Sequence, residues 1–401
     1  MVVVAHLVGR LFGALRQPPV IGEVIAGIAL GPTLLGHYSE TMFPVEGRPL
    51  LKVVATLGLV TFMFLVGLEL EVRHMAGRQR LAVSVSVMGQ VLPFVLGVGL
   101  AAILYSSHRT GRFLPFALFM GSAMAITALP VLVRILREQD LHNKPLGVVV
   151  TACAVSDDLL TWTTLAAVVA IVSSSGGWDL PYIVATFCMF ALIMFKVVGP
   201  WLQRFTDSPV TEGFLSMVMA GVLTCSFITS TIGVHEVFGA FLFGVVFPRG
   251  ALSAEIHARL STVAYFLLPV FFVASGLNVD LRSIDREGLW QLALILLVAF
   301  GGKVVGATVA ARLNAVPRRE ALAIGVLMNT RGLTELVVLN IGLQLKVLDL
   351  ELFSALVVMA VVTTVVTGPL LTLIKPDPYL GSAVPGLGTA TPPNLAGEAG
   401  V

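Results

Sequence analysis

The chain has 401 residues, of which 57% are hydrophobic and 12% are charged. Soluble domains are about a quarter charged, so this composition excludes an ordinary soluble protein. The net charge of +2 and the 3 scattered cysteines indicate neither nucleic-acid binding nor a disulfide framework. The sequence contains no zinc-ligand spacing, Walker loop or nucleophile elbow, and it therefore predicts no cofactor and no enzymatic site.

Apolar runs of about 20 residues follow one another along most of the chain, the pattern of a polytopic α-helical membrane protein. One transmembrane domain is predicted over residues 1–375, with about thirteen segments. Their expected limits are 2–15, 19–36, 50–70, 81–106, 113–137, 146–173, 180–200, 213–232, 235–248, 259–279, 289–312, 319–345 and 351–374. Residues 376–401 are rich in Pro, Gly and Ala, and a disordered cytoplasmic tail is expected there.

Two of these segments carry a break near their middle. In the fifth, Pro130 has no N–H, which frees the carbonyl of Ile126 beside the hydroxyl of Thr127. In the twelfth, the non-apolar residues 329–332 interrupt the apolar run. Pro130 alone is equally compatible with an ordinary kink. Paired broken helices, however, expose carbonyls and helix ends near the midplane, which suits small cations.

Two adjacent acids, Asp157 and Asp158, lie in the middle of the apolar run 146–172. An ionised Asp at the bilayer centre costs roughly 2.5–3.5 kcal/mol, so the pair needs a counter-charge, a water-filled cavity or a function. Neighbouring residues point about 100° apart on a helix. We therefore expect one acid to face a cavity while the other meets a fixed charge. A solvated loop is the alternative, which the apolar flanks disfavour.

Two cations in later segments can balance such acids. Lys303 lies near the centre of segment 289–312, where an ammonium needs a carboxylate or a path to water. Its depth argues against the alternative, snorkelling to an interface. Arg331 and Glu335 are four residues apart and can pair on one helix face. Arg331 can also neutralise the negative ends of half-helices, and this structural role is favoured over direct ion handling.

The chain also repeats itself in three pairs of stretches that keep their order: 62–73 with 271–282, 117–124 with 321–328, and more weakly 23–27 with 236–240. The matched segments lie seven spans apart, and an odd separation reverses a helix through the membrane. Inverted repeats are therefore predicted at about 1–173 and about 213–375, joined by a linker helix at about 180–200. Such repeats are common in transporters, with the site at their interface.

Positive charge in the loops predicts the orientation. The loops after odd-numbered segments hold 15 Lys and Arg residues, against 7 in the opposite loops. The positive-inside rule places the richer side in the cytoplasm. The N-terminus is then outside and the C-terminus cytoplasmic.

Four motifs resemble those of the monovalent cation–proton antiporters. The similar branch contains bacterial sodium/proton and potassium/proton exchangers and plant cation/proton exchangers. The motifs are PPVIGEVIAG (18–27) with LGP (30–32), FLVGLEL (64–70), Asp157-Asp158 and MNTRGLTEL (328–336). The resemblance runs from residue 6 to about residue 374.

This resemblance implies an all-α membrane protein of thirteen helices, in two inverted repeats with two crossing broken helices. It also implies a homodimer in the bacterial plasma membrane whose core domain moves as an elevator. By the same resemblance, Asp158 binds the cation or the proton, and Asp157 pairs with Lys303. Family members with two aspartates, as here, are typically electrogenic.

The sequence thus predicts a secondary antiporter that exchanges a monovalent cation, foremost Na⁺, for protons. Cation and proton exclude each other at Asp158, and carbonyls freed at the two breaks are expected to complete the cation's oxygen shell. Supporting roles are expected for Thr127, Asn329, Arg331 and Glu335. A K⁺/H⁺ antiporter, a gated potassium efflux channel and a membrane sensor on the same scaffold remain as alternatives.

Overall fold

The computed structural model describes residues 2–14, 17–44, 48–69, 79–108, 111–142, 144–174, 179–206, 208–282 and 285–377. Within these ranges every regular element is a helix. The tail predicted to be disordered lies, after its first two residues, outside the described ranges.

The described residues form eighteen α-helices. They are α1 (Val2–Ala14), α2 (Pro19–Leu30), α3 (Pro32–Leu35), α4 (His37–Met42), α5 (Arg48–Glu69), α6 (Gln79–Leu104), α7 (Phe113–Ala125), α8 (Leu129–Glu138), α9 (Pro145–Ser173), α10 (Asp179–Ile193), α11 (Gly199–Leu202), α12 (Glu212–Ile232), α13 (Glu236–Val246), α14 (Ala251–Gly276), α15 (Arg286–Leu313), α16 (Arg318–Met328), α17 (Leu333–Gln344) and α18 (Leu350–Ile374). A π-helical turn, Met194–Val198, joins α10 to α11.

The long helices account for the predicted spans. Nine helical stretches of the described residues are long and apolar enough to cross a membrane, and a tenth is the pair α16 and α17, bent by 43°. Three shorter apolar stretches, Val2–Ala14, Pro19–Leu35 and Glu236–Val246, match the remaining predicted segments. The prediction of an all-α, multi-pass membrane protein is confirmed.

Polar residues set several helix ends. Thr211, Asp285 and Asp349 each accept a hydrogen bond from the backbone N–H three residues later, at the starts of α12, α15 and α18. These side chains satisfy N–H groups that have no partner inside the helix. At the end of α12, Gly233 has a φ of +97°, a left-handed conformation that glycine adopts without strain.

The helices pack in two groups. The scaffold group consists of α1, α2, α5, α12, α13 and α14, which contact one another. The site group consists of α6–α9 and α15–α18, which likewise contact one another. Helix α10 touches α9 of the site group and α12 of the scaffold group.

Glycines let the scaffold helices approach closely. Helix α5 crosses α13 where Gly67 meets Gly244, and α2 crosses α14 where Gly27 meets Gly276. A Cβ added to Gly276 would lie 2.6 Å from the Cα of Gly27, so only glycine fits this crossing. Small residues at helix contacts are typical of membrane proteins. Gly67 and Gly276 are equivalent positions in the repeat predicted from the sequence, but their partners Gly244 and Gly27 are not, because the matched stretches pair Gly27 with Ala240.

Candidate ion-binding site

Two helices of the site group are interrupted, and their extended peptides cross. Helix α7 ends before Ile126 and α8 begins at Leu129, while residues 329–332 separate α16 from α17. The N–H of Ala128 donates to the carbonyl of Thr330 at 2.9 Å. The hydroxyl of Thr127 donates to the carbonyl of Met328 at 2.8 Å. These cross-peptide bonds replace the helical bonds that the breaks remove.

Two buried cations cap the C-terminal end of α7. Arg331 donates to the carbonyls of Ala123 and Met124, each at 2.6 Å, and Lys303 donates to the carbonyl of Ala125. The last carbonyls of a helix have no partner within it and carry partial negative charge. Arg331 therefore occupies the position expected of a residue that neutralises a half-helix end.

Each of these cations also binds a carboxylate. The Nζ of Lys303 lies 3.0 Å from Oδ2 of Asp157, and Arg331 lies 2.7 Å from Oε2 of Glu335. All four side chains have no exposed surface. The ion pair that the resemblance implied for Asp157 and Lys303 is thus present. The cation of each pair also donates to carbonyls of α7, whereas Oδ1 of Asp157 and Oε1 of Glu335 have no hydrogen-bond partner among the described residues.

Asp158 has a different environment from its neighbour. It is 1% exposed, yet neither carboxylate oxygen has a hydrogen-bond partner among the described residues. The charged side chains that act on it are Asp157, Lys303 and Glu69, and none of them forms an ion pair with it. An ionised carboxylate is unstable in such a place unless a proton or a cation neutralises it. Asp158 is therefore the candidate binding group.

The two acids lie on different faces of α9. The face of Asp157 meets α15 through Lys303. Trp162, one turn after Asp158, packs against Phe238 and Phe241 of α13, with ring centroids 6.0 and 5.6 Å apart. The face that carries Asp158 therefore meets the scaffold group, and the acid lies where the two groups of helices adjoin.

The structure reduces the number of carbonyls at the breaks that could bind a cation. Most carbonyls at the breaks already accept a protein donor: those of Thr127, Met328, Thr330 and Arg331. The Ile126 carbonyl, which Pro130 frees, accepts none from the described residues. The fully buried Asn329 side chain likewise has no partner among them. Among the described residues, the oxygen atoms at the crossing that are left to bind a cation are therefore those of Ile126 and Asn329.

One residue of the site was not identified from the sequence. Thr364 of α18 is 1% exposed, and its hydroxyl contacts both main-chain polar groups of Arg331. Its sequence signal is weak, because it lies in the polar pair 363–364 within an otherwise ordinary apolar segment. Nothing in the spacing distinguishes a threonine that bonds within its own helix from one that reaches across.

The fold is that of a solved antiporter. The sodium proton antiporter MjNhaP1 from Methanocaldococcus jannaschii aligns with a TM-score of 0.65 at 13% identity, over 95% of this chain and 97% of that chain. The crossed breaks and the buried acids therefore lie in a chain with the sodium/proton antiporter fold.

Sequence relatives identify the family. A family model described as sodium/hydrogen exchanger, transmembrane, matches residues 2–374. The Na(+)/H(+) antiporter NhaS4 of Synechocystis is 39% identical over 93% of this chain and 95% of its own length. Cation/H(+) antiporter 20 of Arabidopsis thaliana is 39% identical, and K(+)/H(+) antiporter 1 of Saccharomyces cerevisiae is 33% identical, each over 94% of this chain. The chain spans about half the length of these last two, 48% and 46%.

The chain belongs to the sodium/hydrogen exchanger family. Its coarse activity, exchange of a cation for protons, follows from that membership.

Proposed function

We propose that this protein exports a monovalent cation, foremost Na⁺, in exchange for protons across the bacterial plasma membrane. The observation that carries the proposal is the contrast between two adjacent buried acids. Asp157 is neutralised by Lys303, whereas Asp158 has no partner among the described residues. NhaS4 of Synechocystis, which matches this chain over nearly its own full length, is named as a Na⁺/H⁺ antiporter. This similarity favours Na⁺ over K⁺.

Exchange follows from competition at Asp158. A buried carboxylate is stable as the neutral acid or as a cation complex, but not as a bare ion. Cation binding therefore releases the proton, and protonation releases the cation. Asp158 would be the anionic ligand, with Asn329 and the Ile126 carbonyl as neutral oxygen donors. Thr127 would hold the crossing through its bond to Met328.

Alternating access would come from movement of the site group against the scaffold group. The position of Asp158 at their junction supports this, because a small displacement there changes which side of the membrane the acid can reach. We further propose that the scaffold group forms a homodimer interface, as the family resemblance implies. The C-terminus would face the cytoplasm, as the loop charges indicate.

The test is cation-dependent dissipation of ΔpH in everted membrane vesicles, titrated separately with Na⁺, K⁺ and Li⁺ at several pH values. Asp158→Asn is expected to abolish the response, because the amide can neither release a proton nor neutralise a cation. Glu255→Gln is the matched control. Glu255 is about half exposed, and among the described residues it pairs with Arg259 one turn away, so its loss should leave exchange near wild type.

Each outcome separates the candidates. Full activity of Asp158→Asn would remove this acid as the carrier. A larger response to K⁺ than to Na⁺ would make the protein a K⁺/H⁺ antiporter. Cation flux without proton coupling would indicate a channel, and no flux in the wild type would indicate a sensor.

A further inference from the structure

We propose that Thr364 is a positioning residue of the ion site, whose hydroxyl fixes the broken peptide at Arg331 and thereby sets cation affinity. This inference rests on the antiport function proposed above. It assigns a role to α18, which contributes no charged group to the site.

The contact is a two-sided clamp between α18 and the break. The N–H of Arg331 donates to Oγ1 of Thr364 at 2.9 Å, and the Thr364 hydroxyl donates to the carbonyl of Arg331 at 2.8 Å. One hydroxyl therefore satisfies both main-chain groups of a residue that has left the helix. Backbone polar groups inside a membrane protein must all find such partners.

Arg331 links this contact with Thr364 to the other elements of the site. Its side chain caps α7 at Ala123 and Met124, and the next carbonyl of α7, that of Ala125, accepts from Lys303. The preceding residue, Thr330, accepts the cross-peptide bond from α8. A shift of the Arg331 main chain would therefore move the cap of α7 and the register of the crossing together, and with them Ile126 and Asn329, the neutral ligands proposed above.

The adjacent residue shows what an ordinary threonine does here. Thr363 is also 1% exposed, but its hydroxyl donates to the carbonyl of Met359 in its own helix at 2.8 Å. This is the usual local bond of a threonine in a helix. Thr363→Val therefore removes the same chemical group from the same depth without touching the crossing, which makes it a matched control.

The experiment compares Thr364→Val, Thr364→Ser and Thr363→Val as purified full-length protein in proteoliposomes, with KM for the cation and maximal rate measured at several pH values. Thr364→Val keeps the shape but loses both bonds, and is expected to raise KM about tenfold, equivalent to about 1.4 kcal/mol. Thr364→Ser keeps the hydroxyl and is expected to stay within about twofold of wild type, as is Thr363→Val. The cation-induced rise in melting temperature should shrink in Thr364→Val alone, because it reports binding independently of transport.

Three results would overturn the inference: an unchanged KM in Thr364→Val, an equal rise in Thr363→Val, or a fall in maximal rate with KM and cation-induced stabilisation intact. If Thr364→Val fails to reach the membrane, Thr364→Cys decides the question. The thiol is a weak donor and acceptor, so an intermediate KM is expected, and a wild-type KM would overturn the role. A wild type without cation-dependent proton flux would instead sink the proposed function.

Discussion

Adjacent residues of identical chemistry have opposite electrostatic environments in this site. Asp157 has a buried ammonium at 3.0 Å, while the carboxylate of Asp158 has no described donor. The cause is the helix itself, because neighbours point about 100° apart and so meet different elements. One acid is thereby fixed as part of the structure, and the other is left for a mobile ion.

The Asp157–Lys303 pair can be tested as a structural unit. Lys303→Met leaves a buried carboxylate without its partner and is expected to destabilise the protein by about 3–5 kcal/mol. The double variant Asp157→Asn/Lys303→Met removes both charges and should regain most of that loss. The measurement is the melting temperature of the purified protein in detergent. Lys196→Met, at an exposed lysine, is the control.

Strict additivity of the two substitutions would contradict the pairing. If the double variant is less stable than Lys303→Met by as much as Asp157→Asn alone destabilises the protein, the two charges do not compensate each other. An effect of Lys196→Met as large as that of Lys303→Met would point to general loss of charge rather than to the pair.

The sequence predicted the charged residues of the site better than the neutral ones. An ionisable residue in an apolar run has few tolerable environments, so the Arg331–Glu335 pair could be predicted from spacing, and the need of Lys303 for a partner from its depth. The family resemblance implied that this partner is Asp157. Thr364 could not, because a hydroxyl in a helix commonly bonds to its own backbone and so does not need a partner on another helix. Which of the two threonines at 363 and 364 reaches the break depends on how α18 is rotated, and only packing determines that.

At the scale of elements, both breaks could be located from the sequence, but the hydrogen-bond partners of their main-chain groups could not. Pro130 and the polar run 329–332 each remove helical hydrogen bonds. The sequence led us to expect open carbonyls at both breaks. In the structure Arg331 and Lys303 occupy the end of α7, and the two extended peptides bond to each other. Those partners come from residues about 200 positions apart, a distance at which local pattern carries no information.

A separate contact joins the end of α6 to the starts of α15 and α18. His108, after α6, places Nδ1 at 2.7 Å from Asp349 at the start of α18, and Nε2 at 2.8 Å from Gln291 of α15. Burial opposes the charged imidazolium, but the hydrogen bonds to Asp349 and Gln291 outweigh it and raise the pKa of His108. Burial likewise opposes the Asp349 carboxylate, but its hydrogen bonds from His108 and Leu352 lower the pKa of Asp349.

This contact predicts a pH-dependent stability. The raised pKa of His108 stabilises the fold fully below its unfolded value of about 6.5, and this contribution is lost as pH rises through the folded value. The lowered pKa of Asp349 stabilises the fold above about pH 4, and this contribution is lost as pH falls through the folded value. The destabilisation by His108→Gln should therefore be largest at about pH 5–6 and shrink towards pH 9. Melting temperatures across pH measure it, with His142→Gln as control, and a difference independent of pH would contradict it.

At the scale of the whole molecule, the two packing groups give the fold a boundary that passes beside the site. The all-α fold and its spans followed from hydropathy, and the inverted repeat stays a prediction from the matched stretches of sequence. Which helices form each group did not follow from either, because helices that are apolar on all sides carry no record of their neighbours. The division matters for function, since Asp158 lies at the boundary and Asp157 is held inside the site group.

The buried Asp157–Lys303 pair beside Asp158 leads to a prediction about the net charge that the protein moves in each transport cycle. If the Asp157–Lys303 pair opens when the cation binds, Lys303 can release a second proton, so that two protons enter for each Na⁺ that leaves. One net positive charge then moves inward, and an inside-negative potential drives export. A potential of 100 mV is worth about 2.3 kcal/mol per charge, which corresponds to an increase of about 50-fold in the steady-state Na⁺ gradient.

Proteoliposomes clamped at several potentials, with Na⁺ as the transported cation, measure this coupling. The wild type is expected to build a larger Na⁺ gradient as the potential becomes more inside-negative. Asp157→Asn/Lys303→Met keeps Asp158 but removes the second proton carrier, so its gradient should follow ΔpH alone. A wild-type gradient independent of potential would restrict the exchange to one proton per cation, and the buried pair would then be purely structural.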